Sequence, residues 1–143
     1  MTTTEALLKR GFNVVSTTRS GNDPFKVIKL PSAEKALYSF GGAVDVTKPE
    51  DIVSAISTYK PSHVVYAASA SKKGGNAKEV DYRGVLNAAS AVSSTKGVKL
   101  ELISALAVDQ TESKGYKMTN SMGGVVDGIM DFKRRGEDEV RGR

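Results

Sequence analysis

The stretch Ser71-Lys72-Lys73-Gly74-Gly75-Asn76 offers the first residue types whose spacing could do chemistry. Glycines let backbone amides turn toward one point and lysines add positive charge, so together they can make an anion site. The stretch is not a P-loop, because no Gly-Lys-Ser/Thr follows, and nucleotide hydrolysis is not implied. The plain alternative is a solvated surface loop. The chain has no cysteine, which excludes disulfides and thiolate metal sites, and its single histidine, His63, argues against a histidine metal site or a Ser-His-Asp triad. On a strand edge His63 reads as a surface residue or one with a satisfied partner.

The elements that must position this loop are legible on both sides of it. Pro61 stops a helix, and His63-Val64-Val65-Tyr66-Ala67-Ala68 reads as a short, buried parallel strand. A helix over roughly 77–95 comes next, with Tyr82, Val85, Leu86, Ala89 and Val92 in period. Gly84 inside it costs about 1 kcal/mol relative to Ala and suggests close packing on a sheet. In open α/β sheets ligands lie outside the carboxyl ends of strands, which puts the 61–76 segment at a site.

The remaining elements can be taken in order. Glu5 to Arg10 is a helical end closed by Gly11, and Phe12 to Thr17 is a strand. Phe25 to Leu30 reads as a short extended piece, Ser32 to Ser39 as weakly helical, and Gly42 to Val46 as the second main strand. Thr47 with Glu50 fits a capping box with Pro49 in the first turn, and Ile52, Val53, Ile56 and Tyr59 form an apolar face. Lys99 to Ser104 is a strand, Val108 to Lys117 a polar loop, and a last helix begins near Thr119 or Asn120 with Met122, Val125, Val126, Ile129 and Lys133 marking its period. Strands and helices alternate, which argues for an α/β fold with a parallel sheet.

At 143 residues and 39% apolar content, the chain is one domain or part of one. No run approaches 18 apolar residues and no secretory signal opens the chain. A cytoplasmic location is expected, or an organelle if a targeting segment precedes the sequence. The net charge of +5 suits an anionic ligand. Much of the excess lies in Lys133-Arg134-Arg135 and the last arginines, interleaved with Glu137, Asp138 and Glu139, as on a solvated helical face. No aromatic interleaving or motif points to nucleic acid.

The ordered set of pieces resembles an atypical short-chain dehydrogenase/reductase, an NmrA-like, NAD(P)-binding Rossmann domain, over nearly the whole chain. The residues that carry the resemblance are Ala6 to Val14 leading to Arg19, Asp45-Val46, Ala67-Ala68-Ser69, Val80 to Asn87, Leu102 to Val108, and Lys133 with Glu137. The resemblance implies a Rossmann-like parallel sheet flanked by helices, residues 1–143 forming a partial NAD(P)-binding domain. It implies cofactor contacts from Arg19, Asp45, Val46, Ala67, Ala68 and Ser69. Arg19 stands where the family reads the adenosine ribose, and an arginine there suits the 2′-phosphate of NADP, with NAD as the other candidate. Each of these also has an ordinary reading: a solvated loop arginine, a strand-end carboxylate, small residues after a strand. Asn87 faces the site in some relatives and otherwise reads as an exposed helix residue.

Two departures qualify the resemblance. No Gly-rich dinucleotide turn occurs in the sequence. The family's first strand, the centre of its sheet, should precede Glu5, and the sixth strand and substrate part should follow the last residue, so a truncated product is expected. Without that central strand, either a gap separates its neighbours or they pair directly. Working members also place a tyrosine four residues before the lysine, with a serine nearby, to transfer a proton. Lys133 and Ser104 match the lysine and serine, but Ile129 holds the tyrosine position and Tyr116 lies in the preceding loop as a conceivable substitute. The expected function is an NAD(P)-binding domain of an oxidoreductase-like protein, NADP favoured and not catalytic by itself. The alternative is a non-catalytic Rossmann module that senses the cofactor or binds another protein chain. The partners implied are a nicotinamide dinucleotide or a protein chain, with no membrane.

Overall fold

Local end signals set the first elements. The Thr2 hydroxyl accepts from the Glu5 N–H at 3.2 Å, and the Glu5 carboxylate accepts from the Thr2 N–H, a reciprocal capping box. That N–H contact holds the Glu5 carboxyl below the usual carboxylate range. The computed structural model describes residues 2–26 and 30–142. They form two compact units, Met1–Asp45 and Val46–Arg143.

The first unit contains α1 (Thr3–Lys9), β1 (Val14–Thr18), α2 (Ser32–Ala36) and β2 (Tyr38–Ala43). The strands are parallel, with Val14 opposite Tyr38, Ser16 opposite Phe40 and Thr18 opposite Ala43. The second main strand therefore begins four residues before the expected Gly42 and ends at Ala43, and helix stops at Ala36. Tyr38 accounts for the earlier start. Its hydroxyl donates to Asp23 Oδ1 at 2.6 Å, and its ring meets Phe25 edge-on at 5.1 Å. Gly41 and Gly42 sit within the strand, near the register irregularity between Ser16 and Thr18, where a bulge suits them. Phe25 lies in a turn, and residues 27–29 of the expected extended piece are outside the described residues.

The second unit contains α3 (Pro49–Tyr59), β3 (His63–Tyr66), a π-helix (Lys78–Gly84) that runs into α4 (Val85–Ser93), β4 (Lys99–Leu102), α5 (Lys114–Asn120), a 3-10 turn (Gly124–Val126) and α6 (Ile129–Arg141). β3 and β4 are parallel and in register, His63 opposite Lys99 and Tyr66 opposite Leu102. Among the described residues the strands form two parallel pairs, β1 with β2 and β3 with β4. The α/β class with parallel strands and flanking helices is as the sequence implies.

Several local expectations change. The α3 N-cap is Lys48, one residue beyond the expected Thr47, and the Lys48 side chain makes no cap bond. Ile52 and Ile56 are buried, whereas Val53 and Tyr59 are exposed. β3 is buried only at Tyr66. The expected loop from Val108 to Lys117 ends in α5, whose N-cap Ser113 accepts from the Tyr116 N–H at 3.1 Å. The last helix starts at Ile129, not near Asn120. Gly123, Gly124 and Gly128 hold φ of +72°, +63° and +71°, values that interrupt a right-handed helix. Asn120 instead ends α5 and caps α6, its Oδ1 accepting from the Met130 and Asp131 N–H groups at 3.0 and 3.1 Å.

Candidate functional site

The carboxyl end of β3 leads into Ala67-Ala68-Ser69-Ala70, and one buried carboxylate anchors the far end of this segment. Asp81, on the π-helix, has a side chain with no exposed surface. Its Oδ1 accepts from Ser69 Oγ at 2.7 Å and lies 2.6 Å from Lys133 Nζ; its Oδ2 accepts from the Ala70 N–H at 2.9 Å. Burial of a charge requires such pairing, since an isolated ion in the interior is expensive. The close approach of α6 to the π-helix is made at Gly136, where an added Cβ would lie 3.0 Å from the Asp81 carbonyl oxygen.

A second polar contact lies one turn further along α6. Ser104, just after β4, donates to the carboxylate of Glu137, and Arg141 Nη2 approaches the same carboxylate at 3.5 Å. The expected pair of Ser104 and Lys133 is thus served by two different carboxylates, Glu137 and Asp81. Ile129, four residues before Lys133, is buried with Ala70, Ala77, Val80, Tyr116 and Met130 in the apolar core. It fills the core at the place where the family pattern puts a proton donor.

Tyr116 is not a ready substitute. It sits in α5, buried, and its hydroxyl donates to the Asp131 carboxylate. Burial first, and that hydrogen bond second, push its pKa up to about 12, away from proton transfer near neutrality. The Tyr116 and Asn120 hydrogen bonds hold Asp131 below its ordinary range.

The remaining expected residues divide between the two units. Arg19 is exposed and directly follows β1, and Asp45 is half-buried two residues after β2, both in the first unit. In the second unit Val46 packs against the apolar core, and its carbonyl accepts from Asn87 Nδ2 at 3.0 Å. Asn87 is therefore a half-buried tie to Val46 and not an exposed helix residue. Ala67 is exposed, and Ala68 is half-buried against the apolar core.

Three amides of the Ser71–Asn76 loop are engaged within the loop itself. Ser71 and Gly74 exchange both backbone hydrogen bonds, at 3.0 and 2.9 Å, and the Lys73 N–H donates to Ser71 Oγ at 3.3 Å. Lys72 and Lys73 are exposed on this tight turn. Asn76 Oδ1 accepts from the Glu79 N–H at 3.3 Å and starts the next helix. His63 is exposed beside Ser62 Oγ, 3.1 Å away, as its edge position implies.

A groove of about 660 Å³ runs between α3 and α4, lined by Val53, Ile56, Lys60, Asn87, Ala91 and Lys96 among others. None of the eight expected site residues borders it. Among the described residues no cluster of His, Cys, Asp or Glu could hold a metal ion, and no helix is long and apolar enough to cross a membrane.

Sequence reading missed Asp81 and the inward turn of Glu137. The signal for Asp81 was present: Asp81, Gly84, Val85, Ala88 and Val92 share one helical stripe, and all the rest of it is apolar and buried. A carboxylate on such a stripe needs a cation, and Lys133 is that cation.

No family model matches the chain, and no curated protein matches its sequence. Solved structures do match its fold. The Bordetella bronchiseptica enzyme WbmG, solved in complex with NAD, gives a TM-score of 0.66 at 20% identity, and its complex with NAD and UDP gives 0.62 at 20%. A candidate epimerase from Burkholderia cenocepacia J2315 gives 0.65 at 17%. Each likeness covers 96% of this chain and 44% of the other, so the chain spans less than half the length of the structures it resembles. At these identities the likeness is one of fold: a Rossmann-type α/β arrangement of parallel strands and flanking helices.

Proposed function

We propose that this chain is a nicotinamide-dinucleotide-binding domain of the short-chain dehydrogenase/reductase type, of the atypical kind, with NADP favoured and without catalysis of its own. The observation that carries the reading is the end of β3. A parallel strand runs out into small residues, Ala67 and Ala68, and the next two are held by a buried carboxylate. That is where open α/β sheets take ligands. The fold likeness to an enzyme solved with NAD supports the same ligand class.

In this reading Ala67, Ala68 and Ser69 let the dinucleotide approach the backbone, Val46 and Asp45 border the adenine, and Arg19 supplies charge for a 2′-phosphate. When bound, such a cofactor supplies hydride transfer; Ser104 and Lys133 hold the serine and lysine places of the resemblance, and each is tied to a carboxylate, Glu137 and Asp81. The engagement of Lys133 by Asp81, and Ile129 in the core, favour the second reading, a module that senses the cofactor or binds a protein, over a working reductase.

The test is a titration of the chain with NADPH and NADH, followed by fluorescence or calorimetry, beside Arg19→Ala. NADPH should bind more tightly. The variant should lose about tenfold or more for NADPH, as expected for a charge-assisted pair, and almost nothing for NADH. Equal losses for both would remove the case for NADP, and no binding of either at millimolar concentration would overturn the cofactor reading.

A further inference from the structure

Asp81 takes part in no proposed cofactor contact, yet it is the most deeply buried charged side chain among the described residues. Three groups converge on its two oxygens: a hydroxyl and a backbone N–H from consecutive residues after β3, and an ammonium from α6. Such an arrangement does two things. It ties the segment after β3 to the π-helix at two adjacent residues, which fixes the direction in which the backbone leaves the strand. It also fixes Lys133 Nζ, only 15% of whose side chain is exposed, in an ion pair.

We propose that Asp81 is the positioning residue for the segment after β3, and that Lys133 acts as its counter-ion and not as a proton-relay lysine. Removing the carboxylate charge leaves the ammonium buried without compensation and takes away the second acceptor oxygen, so Ala70 N–H loses a well-placed partner. The segment from Ala67 to Ala70 then samples other directions. Insofar as that segment bears the dinucleotide, which rests on the function proposed above, affinity falls with it.

The test reads the segment in the ligand-free chain by amide hydrogen exchange, with Asp81→Asn, Lys133→Met, Lys133→Arg and Ser69→Ala. The reference amide is Ile103 N–H, which donates to the Tyr66 carbonyl at 2.9 Å in the strand ladder. General loss of stability would speed both amides together. Positioning by Asp81 predicts that Ala70 N–H alone speeds up, by about tenfold or more in Asp81→Asn and Lys133→Met, and by about threefold in Ser69→Ala. Lys133→Arg, which keeps the charge, should stay near wild type. Should Asp81→Asn not fold, Ser69→Ala and the Lys133 pair decide alone. Ala70 exchange within about twofold of wild type, relative to Ile103, in the folded variants would overturn the proposal. NADPH titration of the same variants separates the two readings. If wild type binds no dinucleotide but Ala70 responds as stated, the positioning role stands and the cofactor reading falls. If wild type binds and Ala70 does not respond, the reverse holds.

Discussion

Tyr116 and Asp131 show how one contact moves two titrations in opposite directions. The hydroxyl donates to the carboxylate, so burial and that bond raise the tyrosine to about 12 from 10.0 while the aspartate is held low. A raised tyrosine binds its proton more tightly folded than unfolded. Its contribution is therefore complete below pH 10.0 and lost as pH climbs toward about 12. The lowered aspartate contributes above its ordinary range and is lost as pH falls through and below it. Tyr116→Phe should cost about 1.5–3 kcal/mol at neutral pH, the range for a hydrogen bond to a charged group. Wild type and variant should converge in urea midpoint as pH rises from 10 to 12. A difference that stays constant across that interval would show that Tyr116 acts by packing alone.

The π-helix and α4 depend on the absence of a side chain at Gly84. An added Cβ would collide with the Tyr66 hydroxyl and come within 3.0 Å of Val46 Cγ2. That hydroxyl is buried and donates to the Val80 carbonyl at 2.6 Å, so it cannot swing away without losing that hydrogen bond. Alanine is the better helix former by about 1 kcal/mol. Overpacking costs about 1–3 kcal/mol, so Gly84→Ala should lower stability despite its propensity. Chemical denaturation of the variant checks this. Adding Tyr66→Phe to Gly84→Ala should recover part of the loss by vacating the space. A Gly84→Ala chain more stable than wild type would mean that the strand yields more readily than its hydrogen bonds imply.

At the scale of the whole molecule, apolar burial is uneven. Among the described residues of the first unit only Leu8 and Phe25 are buried apolar residues, whereas the second unit holds a continuous cluster around Ala77, Val80, Tyr116, Val126 and Met130. Little buried area means little opposition to chain entropy. Amides of the β1–β2 ladder should exchange at least about tenfold faster than those of β3–β4, and limited proteolysis should cut first within residues 2–45. Uniform protection across both ladders, with one sharp thermal transition, would show instead that the chain opens as a single unit.

The order of strands and helices, α5 apart, was open to reading in the sequence because it rests on local causes: apolar period, Pro61 as a stop, Gly84 as a close-packing residue, and the mixed charges of the last helix. Arg134 and Asp138 do pair on that exposed face, 3.7 Å apart. Boundaries set by distant partners were not open to it. Tyr38 begins β2 because Asp23 and Phe25 receive its hydroxyl and ring. Asn120 ends one helix and caps the next because three left-handed glycines turn the chain between them. The resemblance drew Lys133 and Ser104 out of the sequence as a catalytic pair, but only the fold decided that Asp81 and Glu137 would meet them. Charges on a linear chain carry no distances. Burial, which forces each ion to find a counter-ion, exists only once π-helix, strand ends and α6 are packed together.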